Sequence, residues 1–158
     1  MAIRYSIEQH SVAFPTKVKA SSCGHILNIE LKEDCDQGWF VGQGAWKELD
    51  LYEQAAPTSV SAIVRDQAAN GNWYVEIVSA SNAYFVCSVP VIAEEYNNSF
   101  QRESNYFNKN GEVVRAYEVC PLDIVEISAD GFAGTVAKGD AVTLQTITGV
   151  SYAKQLGK

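Results

Sequence analysis

The stretch NYFNKNGEVVRAYEVCPLDIVEIS, residues Asn105–Ser128, predicts how this chain folds. Asn110 and Gly111 lie at its centre, and both residue types tolerate a positive φ. We therefore expect a type I′ turn that joins a strand at Tyr106–Lys109 to a strand at Glu112–Val119. The stretch thus predicts a tight β-hairpin.

The residues on either side of this hairpin continue the pattern of short strands and turns. Pro121-Leu122-Asp123 predicts a second turn, and DIVEIS predicts the strand after it. HILNIEL, His25–Leu31, alternates two sets of residues, as a strand with one buried face does. Further strands are predicted at WFVGQG, ELDLY, SVSAIVRD, WYVEIVSA, YFVCSVPVIA and GDAVTLQTI.

The segments between these strands predict turns and loops. QAANGN contains Asn70-Gly71, which favours a left-handed turn, and SASNA predicts a hairpin between the two strands that flank it. The glycines of WFVGQG indicate a bulge or a close approach of backbones. EEYNNSFQRES, Glu94–Ser104, predicts a surface loop or one short helix.

Strands outnumber helices by a wide margin, and turns recur about every 8 to 12 residues, so we expect a mainly β fold. The expected architecture is a compact β-sandwich or barrel-like domain. Residues 1–20 predict an N-terminal arm, extended or forming an edge strand, and residues 21–158 the β domain. A soft boundary near residues 94–104 would divide that domain into two small β lobes.

The composition excludes several classes of function. The chain has 158 residues, 47% of them hydrophobic, and a formal net charge of -7, which is typical of an ordered globular protein. Because no run of basic residues forms a positive stripe, we expect binding neither to nucleic acid nor to a membrane. The N-terminus has no apolar signal region, which predicts synthesis and retention in a cytosol.

The four cysteines are Cys23, Cys35, Cys87 and Cys120, and none belongs to a C-x-x-C pair. Since Cys is one of the most buried residue types and a cytosol keeps it reduced, we expect buried or half-buried thiols. A disulfide between Cys23 and Cys35 is the alternative for a protein that ends up outside a cell.

Motifs for catalysis and for cofactors are missing from the sequence. CGH offers one Cys and one His, but a zinc site needs a second ligand pair, and EDCDQG does not place acidic residues where a calcium loop needs them. The latter stretch predicts a solvated turn. GQG lacks the rest of a dinucleotide fingerprint, and no nucleophile elbow occurs. We expect no enzymatic activity, no metal and no cofactor.

Aromatic residues and one arginine are the remaining candidates for a binding role. Trp39, Trp46 and Trp73 would form a platform for sugar rings if they were exposed on one face, although Trp is also an ordinary core and interface residue. Arg115 lies within a predicted strand, where Glu126 or Asp123 on the next strand would form a cross-strand ion pair with it.

Several segments together resemble a group of small virion proteins of tailed bacteriophages, described as capsid decoration, cement or auxiliary head proteins. They are NIELKEDCDQGWFVGQG, ELDLYEQAAP, SVPVIAEEYNN, FNKNGEVVRAYEVCPLDIVEIS and VAKGDAVTLQ, and the resemblance runs from about Leu27 to Leu144. Members of that group tend to have Gly before the Asp of the second turn, whereas this chain has Leu122 there.

The resemblance implies a structural protein that binds the outside of an assembled phage capsid and stabilises or decorates it. Its partner would be the major capsid protein. It would be made in the host cytoplasm and located on the surface of the virion, and it would form a homo-oligomer, with a trimer favoured. The predicted interface residues are Arg4, Tyr5, Phe14, Trp39, Trp46 and Arg115. The alternative is a β-sandwich carbohydrate-binding module of a head fibre or tail accessory protein.

Overall fold

A computed structural model describes residues 10–48, 51–88 and 107–158 of the chain. These residues form twelve strands, one short α-helix and one 3₁₀ turn. The elements are β1 (Ala13–Lys17), α1 (Ala20–Cys23), β2 (Ile26–Glu30), β3 (Phe40–Glu48), β4 (Leu51–Ala55), β5 (Ser59–Gln67), β6 (Trp73–Ser81), β7 (Tyr84–Val86), β8 (Val113–Glu118), β9 (Ile124–Ile127), the 3₁₀ turn (Ala129–Gly131), β10 (Phe132–Ala133), β11 (Ala141–Thr146) and β12 (Lys154–Gly157). The predicted mainly β fold is confirmed.

Five of the strands close into a small barrel. Around its circumference β3 pairs with β4, β4 with β2, β2 with β8, β8 with β7, and β7 with β3. All of these pairings are antiparallel except that of β2 with β4. Because the ring is closed, each of these strands has a neighbour on both sides.

The other strands form a curled sheet that extends from the barrel. It runs in the order β1, β9, β6, β5, β11, β12 and joins the barrel where Lys154 of β12 pairs with Phe40 of β3. β10 adds to β12 in parallel. At the far edge of this sheet β1 contacts the residue after β7, where the Cys87 thiol donates to the Ala13 carbonyl at 3.3 Å. The sheet therefore curls around a core of its own.

The barrel wall formed by β3, β7 and β8 separates two apolar cores. Phe40, Phe85 and Tyr117 lie opposite one another on the face of this wall that packs against the curled sheet. Val86 and Ala116, one residue along in each strand, face the interior of the barrel. Because side chains alternate between the two faces of a strand, these three strands contribute residues to both cores.

The N-terminal segment predicted as an arm is described from His10 onward, and there it forms an edge strand. Among the described residues β1 pairs only with β9, with Ala13 opposite Ile127, and Ala13, Val18 and Ala20 are buried in the larger core. α1 follows immediately and ends at Gly24, whose φ is 72°. The soft boundary near residues 94–104 lies outside the described residues.

The alternating patterns of the sequence predicted several of these strands well. In β2 the apolar set contributes Ile29, which is fully buried, and the left-handed turn predicted at Asn70-Gly71 joins β5 to β6, where Gly71 has a φ of 92°. The glycines of β3 mark a close approach of two backbones, as predicted. A Cβ on Gly42 would meet the carbonyl oxygen of Ala56, where the chain leaves β4.

Two predicted hairpins are wrong because their strands pair with distant partners. β8 pairs with β2 and β7, while Asn108 forms an isolated bridge with Cys35, and Tyr106 lies outside the described residues. β6 pairs with β5 and β9, whereas β7 belongs to the barrel. At Asn82, whose φ is 43°, the chain crosses from the curled sheet to the barrel.

The two turns of the opening stretch also differ from expectation. The Glu112 amide donates to the Lys109 carbonyl at 3.1 Å, but only Gly111 of the central pair has a positive φ, so the turn is not type I′. In the second turn the Asp123 amide donates to the Cys120 carbonyl, and Leu122 has a φ of 75°. Leu122 therefore occupies a position that favours glycine.

Candidate interaction surface

The face of the curled sheet that points away from its core carries aromatic and branched side chains. Phe14, Glu126 and Tyr74 lie opposite one another across β1, β9 and β6. A second row, formed by Ile124, Glu76 and Ile63, crosses β9, β6 and β5. The side chains that follow or precede these in each strand point into the core. We call the surface formed by these two rows the outer face.

The charged groups on the outer face are already paired with polar neighbours. Arg65 donates to the Glu76 carboxylate at 2.9 Å, and the Asn70 and Asn72 side-chain amides donate to Glu126 at 3.2 and 3.1 Å. A partner that covers this surface would therefore bury carboxylates whose hydrogen bonds are in part satisfied. Unpaired buried charges are costly, and these hydrogen bonds lower the cost of covering the two carboxylates.

The exposed apolar surface continues from the outer face to the turn before β9. Val78 on β6 is 46% exposed and Leu122 in the turn is 73% exposed. Two backbone hydrogen bonds hold these segments together, from Leu122 to Ile77 and from Ile77 to Asp123, each at 2.8 Å. Large apolar side chains that cluster on a surface are typical of interaction sites.

The predicted interface residues lie on three different parts of the molecule. Phe14 is on the outer face, whereas Trp46 and Arg115 are exposed on barrel strands β3 and β8. Trp39 is half-buried against the barrel core, and its indole Nε1 has no hydrogen-bond partner among the described residues. Arg4 and Tyr5 lie outside the described part of the chain. The structure therefore does not bring the described four together into one patch.

The predicted ion pair of Arg115 with Glu126 or Asp123 is wrong. β8 lies between β2 and β7, so Arg115 is opposite Asn28 and is not next to β9. Glu126 accepts hydrogen bonds from Asn70 and Asn72, and Asp123 accepts them from the backbone amides of Lys19 and Cys120. These two carboxylates therefore form hydrogen bonds within the curled sheet and the turn before β9, and neither is next to Arg115.

The three tryptophans are exposed to very different degrees. Trp46 is 68% exposed, while Trp39 packs against the core of the barrel and Trp73 against the core of the curled sheet. A sugar platform needs at least two tryptophans exposed on one face. The structure offers only Trp46 for such a contact.

The acidic stretch EDCDQG is a structural junction, so the prediction of a solvated turn is wrong for its central residues. Cys35 is fully buried in the barrel core, and Gln37 is 4% exposed. Glu33 accepts backbone hydrogen bonds from Ser151, Tyr152 and Ala153 at 2.9, 2.6 and 3.2 Å. The stretch thereby ties the barrel to the loop before β12.

The buried position of Cys35 also removes the predicted alternative of a disulfide with Cys23. Burial raises the pKa of the Cys35 thiol well above its ordinary value, and the nearby carboxylates of Asp36, Glu33 and Asp34 act in the same direction. Cys23 is exposed on α1. All four cysteines lie in described residues, and no disulfide joins any two of them.

Within residues 10–48, 51–88 and 107–158, no group of three His, Cys, Asp or Glu side chains is placed to hold a metal ion. No helix in the same ranges has the length and apolar character needed to cross a bilayer.

Comparisons with known proteins add no relative to this description. No family model, no curated protein sequence and no solved structure matches the chain. The candidate site therefore stands on the geometry of the outer face.

Sequence reasoning found one residue of the outer face, Phe14, and missed the others. Alternation in β5 places Val60, Ala62 and Val64 on the buried side, which leaves Ile63 on the opposite side. The exposure of Ile63 could therefore be predicted from the alternation in the sequence. Its alignment with Ile124 could not be predicted, because it depends on the pairing of β6 with both β5 and β9.

Proposed function

We propose that this protein is a virion structural protein that binds the outside of an assembled phage capsid and stabilises or decorates it. The observation that carries the proposal is the outer face, an aromatic and branched surface whose carboxylates are already hydrogen-bonded. The resemblance of its sequence segments to capsid decoration proteins supplies the partner, the major capsid protein.

The outer face has the properties that a protein interface requires. Aromatic residues such as Phe14 and Tyr74 contribute much contact area at a low cost in side-chain entropy, and the Arg65–Glu76 ion pair needs no new partner on burial. β1, at the edge of the sheet, lies beside this surface and offers main-chain groups for contact with a neighbouring chain.

We further propose that copies of the protein assemble into a homo-oligomer, with a trimer favoured. Phage shells contain three-fold positions, and a symmetric oligomer would place several outer faces on the shell at once. Simultaneous contact would increase the overall affinity without any change in the single interface. Light scattering on the purified protein gives the mass that tests this part.

The test of capsid binding is cosedimentation of the protein with emptied, expanded capsids of the source phage. We expect the wild-type protein to sediment with the shells in proportion to their subunits. Val78→Glu should weaken binding at least about 10-fold, since it places a charge at the edge of the outer face. Val113→Glu makes the same change at an exposed position of the barrel, 53% exposed, and should bind as the wild type does.

Two results would count against the proposal. If the wild-type protein stays in the supernatant at every capsid concentration, the proposed partner is wrong. If Val78→Glu and Phe14→Glu both sediment as the wild type does, while Val113→Glu does not, the capsid contact lies on the barrel and the outer face has another role.

A further inference from the structure

A pocket of about 270 Å³ between α1 and the end of β8 contains two thiols. The side chains that line it come from the segment around α1 and from the end of β8 and the turn after it. They are Lys19, Ala20, Cys23, His25, Glu118 and Cys120. Cys23 is exposed and Cys120 is half-buried.

The pairing of β2 with β8 places α1 beside the end of β8. Ile26 lies opposite Tyr117, and the Glu118 amide donates to the His25 carbonyl at 3.2 Å, so the register continues one step beyond the ladder. Beyond His25 the chain leaves the strand direction, because Gly24 has a φ of 72° and Cys23 is the last residue of α1. The short turn through Gly24 keeps α1 beside the end of β8, and Cys23 and Cys120 line the same pocket.

A carboxylate holds the two backbones beside each other after the ladder ends. One oxygen of Asp123 accepts from the Lys19 amide at 3.2 Å and the other accepts from the Cys120 amide at 2.8 Å. The Cys23 amide donates to the Lys19 carbonyl at 3.1 Å, so Cys23 is one helical turn from this anchor. The His25 and Glu118 side chains add a contact at 2.7 Å on the same side.

The electrostatics of the pocket agree with this proximity. Burial raises the pKa of the Cys120 thiol, the carboxylates of Asp123 and Glu118 raise it further, and Lys19 acts in the opposite direction. Cys23 also contributes to the raised pKa of Cys120.

We propose that Cys23 and Cys120 form an intramolecular disulfide when the protein encounters a low-molecular-weight disulfide such as oxidised glutathione. The exposed Cys23 thiolate attacks one sulfur of glutathione disulfide and releases one glutathione thiolate. The Cys120 thiolate then attacks the Cys23 sulfur of the mixed disulfide and releases the second. Two protein thiols are oxidised, two glutathione thiols are formed, and the two protein protons pass to solvent or to these thiolates.

The other two cysteines are poorly placed to compete. Cys35 is fully buried in the barrel core, where oxidants have no access. Cys87 follows β7, where its amide donates to the Arg115 carbonyl, five residues before Cys120, and its thiol donates to the Ala13 carbonyl. The pairing of Cys23 with Cys120 does not depend on capsid binding.

The test is oxidation of the full-length protein by glutathione disulfide at mildly alkaline pH, followed by proteolysis and mass spectrometry without reduction. We expect a linked pair of peptides that contain Cys23 and Cys120, and loss of two titratable thiols. Because the bond closes a loop of roughly 100 residues, Tm should rise by roughly 10 °C and return on reduction. Cys23→Ser and Cys120→Ser should abolish both changes, and Cys87→Ser should keep them.

Three outcomes would overturn the proposal. One is a glutathione adduct that persists on Cys23 without conversion to the linked peptides. A second is linkage of Cys120 to Cys87 or Cys35. The third is a dimer joined through Cys23 of two chains, seen on a non-reducing gel. A bifunctional thiol reagent that spans only a few ångströms provides an independent check, since it should link Cys23 to Cys120 in the reduced protein.

Discussion

The wall of β3, β7 and β8 has a different composition on its two faces. Toward the curled sheet it presents Phe40, Phe85 and Tyr117, and toward the barrel interior it presents Val41, Val86 and Ala116. A barrel of five strands encloses little space, so only small side chains fit where several strands converge. The curled sheet leaves room for rings, and Phe40 and Phe85 pack there with centroids 5.6 Å apart.

The two parts of the molecule also bury polar side chains. The barrel buries Gln54, whose side-chain oxygen accepts from the Lys32 amide at 2.8 Å, and the curled sheet buries Asp123, which accepts from the Lys19 and Cys120 amides. The larger core also holds the rings of Phe40 and Phe85, whereas the barrel core holds the Cys35 thiol. We infer that the larger core contributes most of the stability and that the barrel fixes the arrangement of the chain.

The largest expected effect tests this difference directly on the shared wall. Phe85→Ala removes a fully buried ring from the larger core and should lower the free energy of unfolding by about 3 to 5 kcal/mol. Val86→Ala, the next residue, removes two methyl groups from the barrel core and should cost about 2 kcal/mol. Urea unfolding monitored by tryptophan fluorescence measures both. Equal losses would mean that each carbon atom buried in the barrel core contributes more than one buried in the larger core, and would contradict this inference.

The next effect tests the close approach of barrel strand β3 to the segment that connects β4 to β5 of the curled sheet. Gly42→Ala places a methyl group against the backbone of Ala56 and Pro57, which cannot move as a flexible side chain does, and should cost about 2 to 3 kcal/mol. Gly71→Ala meets no atom within 4 Å but has a φ of 92°, so it should cost only about 1 kcal/mol. Thermal unfolding of the two variants distinguishes a steric clash from backbone strain. A smaller loss for Gly42→Ala would show that β3 and β4 can separate.

Local patterns predicted the strands, but not their partners, for a physical reason. The alternation around Ile29 in β2 reports which side chains face a core, and the Asn70-Gly71 dipeptide reports a turn between strands that are neighbours in the chain. Both signals lie within a few residues. The pairing of β2 with β8 joins residues 83 to 91 positions apart, and no local pattern specifies it.

The same limit explains the errors in the candidate site. Arg115 was assigned partners on β9 because β9 follows β8 in the chain, yet the barrel places β8 between β2 and β7. Cys35 lies in a stretch of charged residues that indicates a surface turn, and only the bridge to Asn108 carries it into the barrel core. Phe14 could be chosen from its residue type alone, since aromatic residues are common at interfaces.

A smaller effect concerns backbone strain beside the outer face. Leu122 has a φ of 75° and an exposed side chain, so Leu122→Gly should stabilise the protein by about 0.5 to 1 kcal/mol through relief of the left-handed conformation. Leu122→Ala removes most of the side chain and keeps the strain, so its free energy of unfolding should stay near that of the wild type. If both variants are equally stable, the backbone at this turn is not strained. The turn before β9 in the curled sheet thus stores backbone strain at Leu122, whereas the tight position in the barrel, Gly42, is limited by a steric contact.

The smallest effects come from two exposed ion pairs, one on each part of the molecule. The hydrogen bond from Lys158 lowers the pKa of Asp140 near β11, and the hydrogen bond to Glu30 raises the pKa of Lys47 on β3. A carboxyl with a lowered pKa stabilises the fold above its unfolded-state pKa and loses this contribution as pH falls. An amine with a raised pKa stabilises below its unfolded-state pKa and loses the contribution as pH rises. The curled sheet and the barrel should therefore lose these pairs at opposite ends of the pH range.

Urea unfolding at several pH values checks this with two variants. The difference in stability between the wild type and Asp140→Asn should shrink toward acid, and the difference between the wild type and Lys47→Met should shrink only at strongly alkaline pH, as the pH passes the raised pKa of Lys47. Because both pairs are exposed, the differences should also fall in high salt. If the Asp140→Asn difference stays constant down to strongly acid pH, the amide change acts through the Ala137 amide, which donates to Asp140 at 2.7 Å, and the ion pair with Lys158 contributes nothing measurable.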